Sequence, residues 1–220
     1  MKTSELEATV ENLRETVKKL EVRLTAAEDV ESIKKLQRAY GYYLEHWQEE
    51  ELVELFSHSP EVSLEINDGG LFKGYEAVKN SFNFAEHYTA YGGAKKAPGE
   101  FLHILIPLSG VVDLDPNGKT AKGRWYGFGL VAQRRAGKLQ AIISCGIWEN
   151  EYIKEDGVWK ILKLFWATTI ASPLDEGWVK TPYLGNVHKD APAQGPNTHF
   201  APYPSGYIFP YHYVNPVTGL

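Results

Sequence analysis

The stretch from Phe101 to Ala171 constrains this chain more than any other. Apolar and polar residues alternate there through four successive segments, about 101–114, 120–135, 138–154 and 158–171. A period of two places successive side chains on opposite faces of a strand. The connections DPNG, RAGK and EDG are short and contain glycine, as hairpin turns do. Four long strands joined by tight turns make an antiparallel sheet, and their length predicts strong curvature.

Ahead of this sheet the apolar spacing is helical. Val30, Ile33, Leu36, Tyr40, Leu44 and Trp47 fall on one face, with Asp29 as the expected N-cap. A second helix is predicted over 49–58, a strand over 61–66, a third helix from Gly74 to about Tyr88, and a loop over 92–99. Helices followed by a run of antiparallel strands is an α+β pattern. The helices are expected to close one side of the curved sheet into a cone-shaped pocket, forming a domain over 29–171.

Two appendages flank that domain. Residues 1–28 carry Leu6, Val10, Leu13, Val17, Leu20 and Leu24 at alternating spacings of four and three, a heptad seam. Valine at one seam position with leucine at the other favours two-stranded pairing. This helix is expected to drive self-association, as a dimer or trimer, or to pack on the protein's own body. Residues 172–220 hold eight of the twelve prolines, with Trp178, Tyr183, Phe200, Tyr203, Tyr207, Phe209, Tyr211 and Tyr213. Disordered segments are poor in aromatics. The tail therefore reads as an extended strap over apolar surface, on its own subunit or a neighbour.

A net charge of −5 without a basic block argues against nucleic acid or an anionic membrane as partner. Cys145 is the only cysteine, so no intrachain disulfide forms. The opening residues are charged throughout, and no apolar run is long enough to span a bilayer. A cytoplasmic protein is expected.

The segments LVELF, GGLFKGYEAVKNSF, FLHILIPLSGVVDLDPNGKTAKGRWY and YIKEDGVWKI, following the helix 30–47, resemble in that order the SnoaL-like branch of the nuclear-transport-factor-2-like superfamily. The resemblance implies a cone with an interior pocket. Within it, Glu45 and His103 match an acid and a histidine of the scytalone dehydratases. Trp125 stands where that group's second catalytic histidine falls. Gly146 and Trp148 stand where it has serine and asparagine, a departure from dehydratase chemistry. The aromatic sheet and the Pro/Tyr tail look like the bacterial formaldehyde lyases of lignin-dimer breakdown.

His103 lies in the otherwise apolar strand FLHILIP, on one face with Phe101 and Leu105. A near-neutral pKa suits it to proton transfer, although a core histidine with one hydrogen bond reads the same way. Glu45 lies about 140° around the helix from Tyr40, so it faces solvent unless the helix ends near Leu44. Tyr40 and Tyr43 lie on or beside the apolar face, where a phenol can donate a hydrogen bond or simply pack. Arg124 shares a face with Tyr126 and Phe128, opposite Trp125 and Gly127. It is a buried cation for a phenolate or alkoxide if that face points inward, and a surface arginine otherwise. Gly127 and Gly129 mark bends or room for a ligand. Trp148 and Asn150 share a face, a stacking wall with a polar tip or core filling.

The expected catalytic set is His103, Tyr43, Arg124, Glu45 and Asn150. The expected pocket wall is Tyr40, Trp47, Trp125, Tyr126, Phe128, Trp148 and Trp166. No phosphate loop, dinucleotide fingerprint or metal-ligand spacing appears, so no cofactor or metal is expected. The resemblance implies a lyase that takes the benzylic hydroxyl and formaldehyde from a lignin-derived two-ring diol, leaving a stilbene. The alternatives are a dehydratase, isomerase or cyclase acting on one aromatic or polyketide ring, and a non-catalytic binding module.

Overall fold

The computed structural model describes residues 3–66, 68–84, 91–93, 96–135, 137–185 and 193–220. The helix α1 runs unbroken from Thr3 to Glu45. Two short helices, α2 (Glu49–Val53) and α3 (Tyr75–Ser81), accompany it. Six strands follow the order β2-β1-β6-β5-β4-β3 in one sheet: β1 Ser63–Ile66, β2 Leu71–Lys73, β3 Leu102–Leu114, β4 Thr120–Arg135, β5 Lys138–Glu155 and β6 Val158–Pro173.

The four long strands pair antiparallel, as their alternation predicts. β1 joins the sheet parallel to β6, with Leu64 opposite Leu164, and β2 is a short edge strand that the alternation misses. Register shifts at Leu108/Val111, Cys145/Gly146 and Glu151/Tyr152 bend the long strands and let the sheet curl. α1 lies against the concave face and comes close to β3 at Gly41. A Cβ there would stand 3.0 Å from the Leu105 carbonyl oxygen.

Asp29 does not cap a helix. It sits inside α1, and its carboxylate accepts hydrogen bonds from Lys154 Nζ (2.7 Å) and Trp159 Nε1 (2.8 Å). The helix needs no start signal at Asp29 because the heptad segment already supplies the preceding turns. The second and third helices are shorter than their apolar patterns suggest. After Val53 the chain turns into the core, where Phe56 bridges Ile161. The predicted third helix extends onto residues 85–90, outside the described residues.

The core is aromatic. On the inner face of β4, Trp125 alternates with Gly123, Gly127 and Gly129, all buried. Gly123 and Gly127 make space for neighbouring rings and Gly129 for the Leu105 side chain and the Ile104 carbonyl, not for a ligand. A Cβ on Gly127 would stand 2.3 Å from the Trp166 ring and 2.9 Å from Trp148. Trp148 and Trp166 pack at 4.6 Å between centroids, and Tyr40 meets Trp148 edge-on at 6.4 Å.

The described part of the tail lies on the outer face of this same chain. Gln194 and Gly195 pair with Leu71 at the β2 edge. Thr198 N–H donates to Glu65 Oε2 (2.7 Å) and Tyr203 N–H to the Thr169 carbonyl (2.8 Å). The tail then crosses the sheet toward β3.

Candidate functional site

Three of the expected site residues point away from the cone. Arg124, Tyr126 and Phe128 occupy the outer face of β4, because Trp125 and the glycines take the inner one. Tyr126 and Phe128 are exposed. Arg124 is buried beneath the tail. Its guanidinium donates to the carbonyls of Phe209 (3.0 Å) and Pro210 (2.8 Å), pairs with Glu149 at 3.0 Å and lies 4.3 Å over the Tyr211 ring. His212 bonds Glu149 through Nδ1 and faces Asp113 through Nε2 at 3.3 Å. Burial raises the Glu149 carboxyl above its ordinary value, opposed by His212 and Arg124. Arg124 is thus the clasp of the strap, not an oxyanion ligand. Arg124→Met is expected to free the last dozen residues and to lower stability by about 1–3 kcal/mol through the orphaned acceptors. Faster chymotryptic cleavage at Tyr211 and Tyr213 would report the release.

A second group of expected residues fills the narrow part of the cone. Tyr40, Trp125, Trp148 and Trp166 are all buried, between 1 and 5 % exposed. Asn150 joins a buried polar knot. Its Nδ2 donates to Gln37 Oε1 (2.8 Å) and its Oδ1 accepts from Phe165 N–H (3.1 Å) at the β5 bulge. Tyr152 OH donates to the same Gln37 oxygen (2.8 Å) and accepts from Trp125 Nε1 (3.0 Å). Burial holds the phenols of Tyr40 and Tyr152 far above their ordinary pKa, so both stay protonated. Gln37, absent from the expected site residues, is 1 % exposed, and among the described residues its Nε2 has no hydrogen-bond partner. Its signal was a polar residue four after Ile33 on the apolar face of α1.

The remaining residues gather at the wide end. α1 stops at Glu45, and Trp47 takes a left-handed backbone conformation with φ 56°. Gln48 N–H closes the helix end onto the Tyr43 carbonyl at 3.0 Å. Glycine normally holds that position, and a side chain there costs about 1–2 kcal/mol. The surrounding rings fix it. Trp47 packs on Phe101 (4.9 Å), Tyr91 (5.8 Å) and Phe84 (6.2 Å). His103 faces inward from β3, half-buried, with its ring 6.1 Å from Phe101. Tyr43 packs against the same core from α1. Glu45 is half-buried, and among the described residues its carboxylate makes no hydrogen bond or ion pair.

A groove of about 840 Å³ opens beside this aromatic layer, lined by His46, Trp47, Gln48, Glu49–Glu51, Lys96 and Ala97. Trp47 is its shared wall with the layer that leads through Phe101 to His103. Tyr91 OH accepts from Arg134 N–H (3.1 Å), and Arg134 forks onto Glu100 (2.7 and 2.9 Å), which tethers the rim. Among the described residues no three His, Cys, Asp or Glu side chains converge as metal ligands. The arrangement offers flat apolar walls, a titratable imidazole and a phenol, which suffice for binding a ring and moving protons.

The family model for the SnoaL-like domain matches residues 25–164. The chain belongs to the SnoaL-like family. No curated protein matches it by sequence. Among solved structures it is similar to a proposed scytalone dehydratase of Novosphingobium aromaticivorans, at 18% identity and a TM-score of 0.54 over 67% of this chain and 89% of that one. It is similar to hexachlorocyclohexane dehydrochlorinase LinA-type3 of Novosphingobium barchaimii, at 18% identity and a TM-score of 0.54 over 69% and 94%. A proposed aromatic ring hydroxylase of N. aromaticivorans matches at 16% identity and a TM-score of 0.52 over 67% and 94%. At these identities the likenesses establish the fold. The strap lies beyond the matched SnoaL-like segment, and most of the heptad segment precedes it. Among the described residues no helix is long and apolar enough to cross a membrane.

Proposed function

We propose that this SnoaL-like protein is a lyase that binds an aromatic small molecule in the cone and works by proton transfer without a cofactor. Its proposed substrate is a lignin-derived two-ring diol with a phenol on the ring beside the benzylic alcohol. A protein acid protonates the benzylic hydroxyl, which leaves as water, while the phenol gives up its proton to form a quinone methide. A base then takes the proton of the primary alcohol. The bond between the carbinol carbon and its neighbour breaks, formaldehyde departs, and the electron pair re-aromatises the ring to give a stilbene. The products are one water, one formaldehyde and one stilbene, and no electron acceptor is consumed.

The observation that carries this reading is His103 facing inward behind the Trp47–Phe101 layer. His103 is assigned as base, with Tyr43 and Glu45 on α1 as the candidate acids. The groove beside that layer has a volume within the ~300–1,000 Å³ typical of small-molecule sites and shares Trp47 with the layer, while His103, Tyr43 and Glu45 stand outside its lining. The names of the dehydratase and dehydrochlorinase neighbours support the elimination half, since both describe loss of a leaving group.

Dehydration, isomerisation or cyclisation of a single ring is the second reading, favoured by the same neighbours. Mass spectrometry of the product separates the two. Loss of water plus formaldehyde supports the lyase, and loss of water alone supports the dehydratase. Quenching of tryptophan emission with no product would leave a binding module.

Self-association as a dimer or trimer belongs to the same proposal. On the outer face, Ile106, Phe128 and Cys145 line up across three strands beside Leu108, Tyr126 and Ile147, and Ile106, Leu108, Tyr126 and Phe128 are exposed. A cytoplasmic location remains part of it too.

A further inference from the structure

The first half of α1 is a helix without a body beneath it. Leu6, Val10, Leu13, Val17, Leu20 and Leu24 are between 39 and 59 % exposed, and burial begins only at Asp29. About 26 residues therefore project by roughly 40 Å at 1.5 Å per residue. The helix forms without a partner because the half of α1 packed on the sheet supplies the nucleus, so each further turn adds hydrogen bonds without a nucleation cost. It leaves a straight apolar seam in water, beyond what single surface residues explain.

We infer that this stalk pairs with a second copy of the same chain as a parallel, in-register two-stranded coiled coil, placing both cones at one end. Two observations select the occupant and its direction. The seam has valine at the a positions Val10 and Val17, with Leu24 at the next one, and leucine at the d positions Leu6, Leu13 and Leu20; β-branched a with leucine d is the combination that favours two parallel strands. The flanking charges agree. In a parallel pair the g and following e' positions meet as Thr9 with Arg14, Thr16 with Glu21 and Arg23 with Glu28, two neutral contacts and one attractive contact per strand. In the antiparallel pair that overlaps the whole seam, Leu13 faces Val17. There the e positions bring Glu7 to Glu21 and Arg14 to Arg14, all repulsive. A foreign helix would need a matched seam, whereas a second copy supplies one by symmetry.

The inference is independent of the lyase reading and of contact through the outer sheet face. The test is site-specific disulfide formation in the full-length chain with Cys145→Ser, under mild oxidation. Leu13→Cys is expected to cross-link to itself, and Glu15→Cys, on the opposite side of the helix, is not. Leu13→Glu with Val17→Glu, both at exposed positions of the stalk, is expected to raise the midpoint concentration of stalk pairing about a hundredfold or more with an unchanged circular dichroism melt. Overturning results would be equal cross-linking at 13 and 15, cross-linking only between Leu13→Cys and Val17→Cys chains, or no cross-linking at 13.

Discussion

Replacing His103 by alanine is expected to lower turnover by about 10²–10⁴-fold while leaving the fold and the affinity for an aromatic ligand near normal. The residue faces inward from β3, yet it is only half-buried and sits beside the Phe101 ring instead of deep among the tryptophans. Removing it therefore creates no large cavity, and a stability loss cannot account for a rate loss of that size. Parallel measurement of kcat, KM and the thermal midpoint distinguishes the roles. A structural histidine would move the midpoint and change activity only in proportion. A binding residue would move KM and spare kcat. The proposal requires kcat to fall with the midpoint unchanged.

Trp148→Ala is expected to act the opposite way. The side chain is 2 % exposed, packs on Trp166 at 4.6 Å and on Tyr40 at 6.4 Å, and takes part of the space opened by Gly127. Deleting a buried indole costs about 3–5 kcal/mol. In a protein of this size that lowers the thermal midpoint by roughly 6–20 °C at 2–4 °C per kcal/mol. Scanning calorimetry measures it. A drop of only a degree or two would mean that the ring lines open space, as a stacking wall would, and would return Trp148 to the pocket.

These expectations differ because the sequence distinguishes faces better than it distinguishes filling from lining. Alternation separated Arg124, Tyr126 and Phe128 from Trp125 and Gly127 correctly. It could not say which set faces the cone, since both contain large rings. The deciding information lay in the glycines. Gly123, Gly127 and Gly129 leave room that Tyr152, Trp166, Trp148 and Leu105 fill from neighbouring elements, and such packing is invisible within one strand. The long strands and their turns were legible because period two extends through all four segments. The parallel entry of β1 was not, because it depends on where helices place a four-residue strand.

At the wide end the limit was different. Trp47 reads as one more apolar residue on a helix face, yet it lies past the helix end with a left-handed backbone. Helix termini depend on local capping that a mean periodicity does not carry. Tyr91 stands in a segment without a regular pattern, and His46 sits on the polar side of the predicted helix 30–47, so nothing in their spacing announced the rim of a groove. His212 sits in a proline-rich tail, and its meeting with Glu149 and Asp113 joins residues 63 and 99 positions apart in the chain.

One reaction separates formaldehyde release from simple dehydration. Purified protein is mixed with a two-ring lignin-type diol, and formaldehyde and stilbene absorbance are quantified in the same aliquots over time. Both are expected to rise together, one to one, and neither to rise with His103→Ala. A product that has lost water while formaldehyde stays at the blank level would contradict the lyase reading and assign the cone to dehydration.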